Sequence, residues 1–241
     1  MKLCKKFFEA YILKTLFLLC FLFFVFFYIS AQTSKIQLGV QGGLNYSTAF
    51  VNTADKTKFK LGYHIGGTID YLFTRKFELQ SGLFLSQQGS IINNFNNTII
   101  YCIGPYKEWT DTFNQLYIKM PIYIAYNKTI SNNYNLSVGF GPYLGYGIGG
   151  KINRKIKNYV NNEIDTQIWD TFGNGIYNEK YHSEHINKFD FGAGLRIDIH
   201  YKKYSLGAGF ETSIIDIMNC INFPYIQYRN FNILISTGYK L

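Results

Sequence analysis

The 241-residue sequence carries 24 Lys and Arg against 15 Asp and Glu, a formal net charge of +9, with 19% aromatic but only 16% charged residues. No stretch after residue 31 is continuously apolar for the ~18 residues that a membrane-spanning helix needs, which excludes a helical membrane protein. So aromatic-rich and charge-poor a chain is equally odd as a soluble domain, and it suits a fold with many side chains facing lipid.

Lys2, Lys5 and Lys6 precede an apolar run from Thr15 to Ile29 that ends at Ser30-Ala31. This is the pattern of a cleaved signal peptide over residues 1–31, with Gln32 as the mature start. Lys14 confines the run to about fifteen residues, short of the ~20 of an uncleaved anchor. The mature domain, residues 32–241, keeps a net charge of +6 and two cysteines, Cys102 and Cys220. Export permits a disulfide between them, and two unpaired loop cysteines are the equal alternative.

From Ile36 onward the chain alternates with period two. Ile36, Leu38, Val40, Leu44 and Tyr46 oppose Gln37, Gly39, Gln41, Gly43 and Asn45 in a first strand. A long hairpin follows over 59–90, in which Leu61, Tyr63, Ile65, Ile69, Tyr71 and Phe73 oppose Gly62, His64, Gly66, Thr68 and Asp70. After Thr74-Arg75-Lys76, Leu79, Leu83 and Leu85 oppose Glu78, Gln80, Phe84, Ser86 and Gln88. Five more strands read the same way, at 115–127, 134–148, 188–201, 204–214 and 230–241, giving an even count of eight. Runs of about a dozen residues exceed the usual globular strand and fit a tilted strand crossing a bilayer.

The connections alternate in length. Those at 48–58, 91–114, 149–187 and 215–229 are long, and those at 74–76, 128–133 and 202–203 are short. Transmembrane barrels have short periplasmic turns and longer external loops, so both termini are expected in the periplasm and both Cys102 and Cys220 outside. Pro121 and Pro142 fall inside strands, where each removes a ladder hydrogen bond, so bulges or irregular pairing are expected there.

At the fourth and fifth strands, Leu116-Tyr117-Ile118-Lys119-Met120-Pro121 and Gly139-Phe140-Gly141-Pro142-Tyr143-Leu144-Gly145-Tyr146 resemble the PorT-like, porin-family outer-membrane β-barrel proteins of Gram-negative bacteria. Val40-Gln41-Gly42-Gly43-Leu44-Asn45, Phe189-Asp190-Phe191-Gly192-Ala193-Gly194 and Thr237-Gly238-Tyr239-Lys240-Leu241 extend the resemblance over nearly the whole mature chain. It implies an eight-stranded outer-membrane barrel inserted by the barrel-assembly machinery, in a family of which some members assist protein secretion. The ending Tyr239-Lys240-Leu241 departs from the Phe or Trp that such barrels often carry last.

The polar series places Asp70, Glu78, Lys119, Asp190, Arg196, Asp198 and Glu211 in the narrow lumen, where an unpaired charge is costly, so a network of ion pairs is expected. His64 and His200 are inward by the same register, but no catalytic motif accompanies them, and His182-Ser183-Glu184-His185 is too short a set to fix a metal. Lys151, Arg154, Lys155 and Lys157 form a basic cluster just outside the membrane, suited to lipopolysaccharide phosphates. No cofactor and no nucleic acid are expected.

The reading is an all-β, eight-stranded antiparallel transmembrane barrel with long external loops. It acts as a membrane-embedded structural or interaction module, not an enzyme, with outer-membrane lipid and an envelope or secretion protein as partners. A narrow porin-like channel for small solutes or ions is the alternative, and a lipid-modifying barrel enzyme the distant one.

Overall fold

A computed structural model describes residues 35–52, 56–93, 107–158, 163–172, 185–219 and 227–241. Its strands are β1 (Ile36–Val51), β2 (Lys56–Lys58), β3 (Lys60–Leu72), β4 (Phe77–Asn93), β5 (Lys107–Ser131), β6 (Tyr134–Gly149), β7 (Lys151–Asn158), β8 (Ile164–Asp170), β9 (His185–Ile186), β10 (Phe189–Tyr201), β11 (Tyr204–Ser213), β12 (Met218–Asn219) and β13 (Tyr228–Lys240).

Eight of them close a ring. The antiparallel order β1-β3-β4-β5-β6-β10-β11-β13 returns to β1, with Gly39 opposite Lys240 and Val51 opposite Tyr228 at the seam. Closure pairs the backbone within the wall and leaves no edge, which is the condition for a sheet to sit in hydrocarbon. The expected signal peptide, Cys102, Cys220, His182 and Glu184 lie outside the described residues, as does the side chain of His185.

The alternation read from the sequence sets the two faces. On β6, Val138, Phe140, Tyr146 and Ile148 face out, while Ser137, Gly139, Gly141, Tyr143, Gly145 and Gly147 face in. Leu61, Ile124, Phe140 and Leu206 are each more than 60% exposed, a cost in water that lipid removes. At the short-turn end the outer face carries an aromatic girdle of contacting pairs, Tyr71–Phe73, Phe77–Tyr126, Tyr134–Tyr201 and Tyr204–Tyr239. Tyr46–Phe59 and Phe50–Phe231 belong to a second girdle toward the long-loop end. Twelve residue steps lead from Phe189 to Tyr201, which at ordinary rise and tilt puts the girdles about 30 Å apart, close to the hydrocarbon thickness.

Both prolines interrupt the ladder without shifting it. Ser81 pairs Ile122 and Phe84 pairs Lys119 in one register, and the ladder skips Gly82 and Leu83 on that side, opposite Pro121. The Ser81 hydroxyl bridges the gap by donating to the Pro121 carbonyl at 2.8 Å. On the other side of β5 the pairing skips from Pro121–Tyr143 to Ile124–Phe140, across Pro142. The register shifts fall elsewhere, at Leu116/Tyr117 and Thr129/Ser131.

The long connections are not simple loops. β5 begins at Lys107, eight residues before the sequence pattern places it, and its early half pairs with the end of β4 and with β7. β7 then pairs with β8, and β2 adds to the end of β4, so a curved sheet rises past the ring on one side. Asn-rich surroundings hide this continuation, although Ile152 and Ile156 alternate with Lys151, Lys155 and Lys157 in the period of a strand.

Candidate functional site in the barrel lumen

At the short-turn end, Lys240 Nζ lies 3.1 Å from the Asp70 carboxylate and 3.0 Å from Gln37 Oε1. Glu78 accepts from Gln80 Nε2 at 2.7 Å, and the same amide donates to Ser137. Arg196 grips Asp198 through Nε and Nη2, both at 2.7 Å at closest, and donates through Nη1 to Gln41. This fork needs the bare Gly207 beside it, because a Cβ there would run into the Asp198 carboxylate and stand 3.1 Å from Arg196 Nη2.

Halfway up, Lys119 Nζ reaches Glu211 at 2.7 Å, with side chains only 5% and 9% exposed. Tyr123 donates to the same carboxylate at 3.0 Å, and the Lys119 ammonium also lies 4.5 Å from the Tyr143 ring centroid. The lumen is filled here by bulky polar side chains packed against glycines: a Cβ on Gly194 would lie on the Tyr123 phenol. Higher up, Asp190 is fully buried with no cation among its hydrogen-bond partners in the described residues, and accepts instead from Ser213, Asn230 and Tyr143. Three neutral donors stabilise a buried carboxylate without any ion pair.

The seven acidic and basic residues read as one lumen set therefore all line the ring, but as separate clusters. Lys119 meets Glu211, Arg196 meets Asp198, and Asp70 meets Lys240, whereas Glu78 and Asp190 rest on neutral donors. Lys119 and Glu211 stand on β5 and β11, which are not neighbours, so their pairing crosses the lumen and could not be read from strand adjacency.

One further group resembles a catalytic arrangement. His64 Nε2 lies 2.9 Å from Ser236 Oγ, and its Nδ1 lies 2.6 Å from Asn45 Oδ1, the order of a nucleophile, a base and an orienting amide. All three are buried, and Ser236 lines neither of the two cavities at the short-turn end. Asn45 also donates to Ser86, Tyr63 and Gln87, so the group ties β1, β3, β4 and β13 together. Gly43 makes this possible, since a Cβ there would lie 2.8 Å from His64 Cε1.

The long-loop end is closed by an apolar cluster that the sequence pattern did not reveal. Ala49, Ile92, Phe113, Ile152, Ile186, Ile217, Met218 and Tyr228 are buried together, with Val51, Trp169, Phe172 and Ile215 against them. Ile186 and Met218 come from the small β9–β12 ladder, and Ile152 from β7, so the connections themselves fold over the ring. Below this cap, Tyr228 takes up Ser90 at 2.8 Å and Gln115 at 3.1 Å.

The basic cluster divides. Arg154 turns inward, its guanidinium bidentate to the fully buried Asp111 at 2.7 and 2.6 Å, because it shares a strand face with Ile152 and Ile156. Lys151, Lys155 and Lys157 stay on the exposed face. Among the described residues no group of three or more His, Cys, Asp or Glu is placed to hold a metal ion.

A family model described as outer membrane protein beta-barrel domain matches residues 30–219. No curated protein sequence matches the chain. Among solved structures, the chain is similar to Ail, the attachment invasion locus protein of Yersinia pestis, at 10% identity and TM-score 0.38, over 86% of this chain and 99% of that one. OprG from Pseudomonas aeruginosa matches at 11% identity and TM-score 0.42, over 85% and 95% of the two chains. The Escherichia coli outer membrane protease OmpT matches at 9% identity and TM-score 0.44, over 86% and 97%.

Proposed function

The chain belongs to the outer membrane protein β-barrel domain family, and on that premise we propose that it is a closed barrel of the bacterial outer membrane, a structural or interaction module with its short turns in the periplasm and its capped end outside. The observation that carries this reading is the double closure of the lumen. Lys119, Glu211, Tyr123 and Tyr143 fill the middle, and the apolar cluster around Phe113 and Ile152 covers the end above them. A narrow channel would require an ion to displace a buried ion pair and then cross an apolar layer, each a large barrier. Purified protein in planar bilayers is expected to give no stepwise current, and regular unitary openings would overturn the closed-barrel reading.

The enzymatic alternative rests on Ser236, His64 and Asn45, which are buried in the wall and whose bonds tie four strands together. The secretion role implied by the PorT-like resemblance has no described residue that singles out a partner, so it stays outside this reading. As an interaction module the barrel offers the exposed face of β7. Lys151, Lys155 and Lys157 project there beyond the girdles, in place to meet lipopolysaccharide phosphates. Replacing these three by Gln is expected to weaken lipopolysaccharide retention by several fold, at about ≤1 kcal/mol per exposed cation, and the titration that checks it is lipopolysaccharide binding in maltoside micelles. Arg154→Gln instead is expected to act on stability, because it strands Asp111.

A further inference from the structure

The end of the barrel opposite the cap is open and basic. A cavity of about 350 Å³ lies among the short turns, lined by Arg75, Lys202, Lys203, Lys240, His200 and Glu78, with Gln37, Asn127, Thr129 and Asn135 around them. A second cavity of about 50 Å³ continues inward to Gln41, Asp70, Arg196 and Asp198, and His200 and Lys240 line both. The two cavities thus form a cup at the short-turn end, sharing His200 and Lys240, and neither is lined by Lys119 or Glu211.

The charges of this cup are unevenly engaged. Lys240 is held by Asp70 and Gln37, and Glu78 by Gln80. Among the described residues, the Lys202 and Lys203 ammonium groups lie over the rings of Tyr201 and Tyr239, each 5.6 Å from a centroid. Arg75 sits on the exposed turn with no carboxylate in hydrogen-bond reach among the described residues. His200 is the sharpest sign, because both of its ring nitrogens are buried and neither has a hydrogen-bond partner among the described residues. A half-buried imidazole with unmatched nitrogens costs free energy that a bound acceptor reduces.

We infer that this mouth is a binding site for an oxyanion, a phosphate or a carboxylate, held by the Arg75 guanidinium, the Lys202 and Lys203 ammonium groups and a ring N–H of His200. Guanidinium and ammonium groups around a concave volume supply charge-assisted hydrogen bonds, and the volume falls at the lower end of small-ligand pockets. The inference rests on the closed-barrel reading, since in an open pore the same cations would be a transit vestibule. Two sources carry this chemistry: the headgroup of an anionic lipid in the adjacent leaflet, and a soluble phosphate or carboxylate.

The test uses the full chain with ¹⁵N-labelled histidine, the His200 ring signals being identified by their loss in His200→Gln. In maltoside micelles, which hold no phosphate, inorganic phosphate should shift those signals saturably, and Arg75→Gln with Lys203→Gln should weaken the apparent affinity about tenfold or more. The His64 signals should stay still. If the shift also follows phosphate in phosphatidylglycerol nanodiscs, the ligand is soluble. If the nanodisc alone produces the shift and phosphate adds nothing, it is the headgroup. The inference is overturned by the absence of a saturable shift in micelles together with identical spectra in nanodiscs, or by a shift that the two turn substitutions leave unchanged. Because no current is measured, the outcome is independent of whether the barrel conducts.

Discussion

Replacing Lys119 by Met is expected to destabilise the barrel by about 3–5 kcal/mol, since it leaves the Glu211 carboxylate buried opposite an apolar side chain. The loss has two parts. The ammonium donates to Glu211 at 2.7 Å and lies against the Tyr143 ring, and both contacts disappear. Tyr123 remains as the carboxylate's donor, which softens the penalty without neutralising the charge. The double variant Lys119→Met, Glu211→Gln is expected to recover most of the stability, because its amide oxygen still accepts from Tyr123 and no net charge is buried. Urea titration of folded protein in micelles, read from the gel mobility of the unheated barrel, gives both values. Equal midpoints for the wild type and the single variant would show that the ion pair does not form.

That the lumen would be charged is legible in the sequence, but how it is charged is not. A period-two alternation assigns Asp70, Lys119, Arg196 and Glu211 to the inner face without any knowledge of partners, since in a strand the side-chain direction follows from parity alone. Pairing across a lumen depends instead on the closure of the ring and the stagger of every strand, which no local pattern contains. Lys119 and Glu211 are 92 positions apart and meet only because eight strands close. The glycines of the inner face reveal their purpose in the same way: Gly194 and Gly207 vacate space for Tyr123 and Asp198 from neighbouring parts of the wall. The cap shows a different limit. Ile152 and Ile156 alternate with lysines in a strand period, so the signal exists, but a run of cations reads first as a charged surface. Arg154 belongs to the apolar parity of that strand, and the structure accordingly turns it inward to Asp111.

The cap and the middle of the lumen are physically separate seals, and substitution can tell them apart. Phe113 and Ile152 stand opposite each other in the β5–β7 pairing, both fully buried, and the Phe113 ring lies 5.3 Å from that of Tyr228. Phe113→Ala is expected to cost about 3–5 kcal/mol and Ile152→Ala about 2–5 kcal/mol, from lost burial and the cavity left behind. That cost should fall on the sheet above the ring and not on the ring itself, whose strands hold one another through the unbroken ladder. Hydrogen exchange is therefore expected to quicken at the β7 and β8 amides and to stay slow in β1, β10 and β13. The capless barrel should still pass no current, because Lys119, Glu211, Tyr123 and Tyr143 lie below the cap and fill the lumen unaided. Channel openings in Phe113→Ala would mean that the apolar cluster alone holds the barrel shut, and that the ion pair beneath it yields to a passing ion.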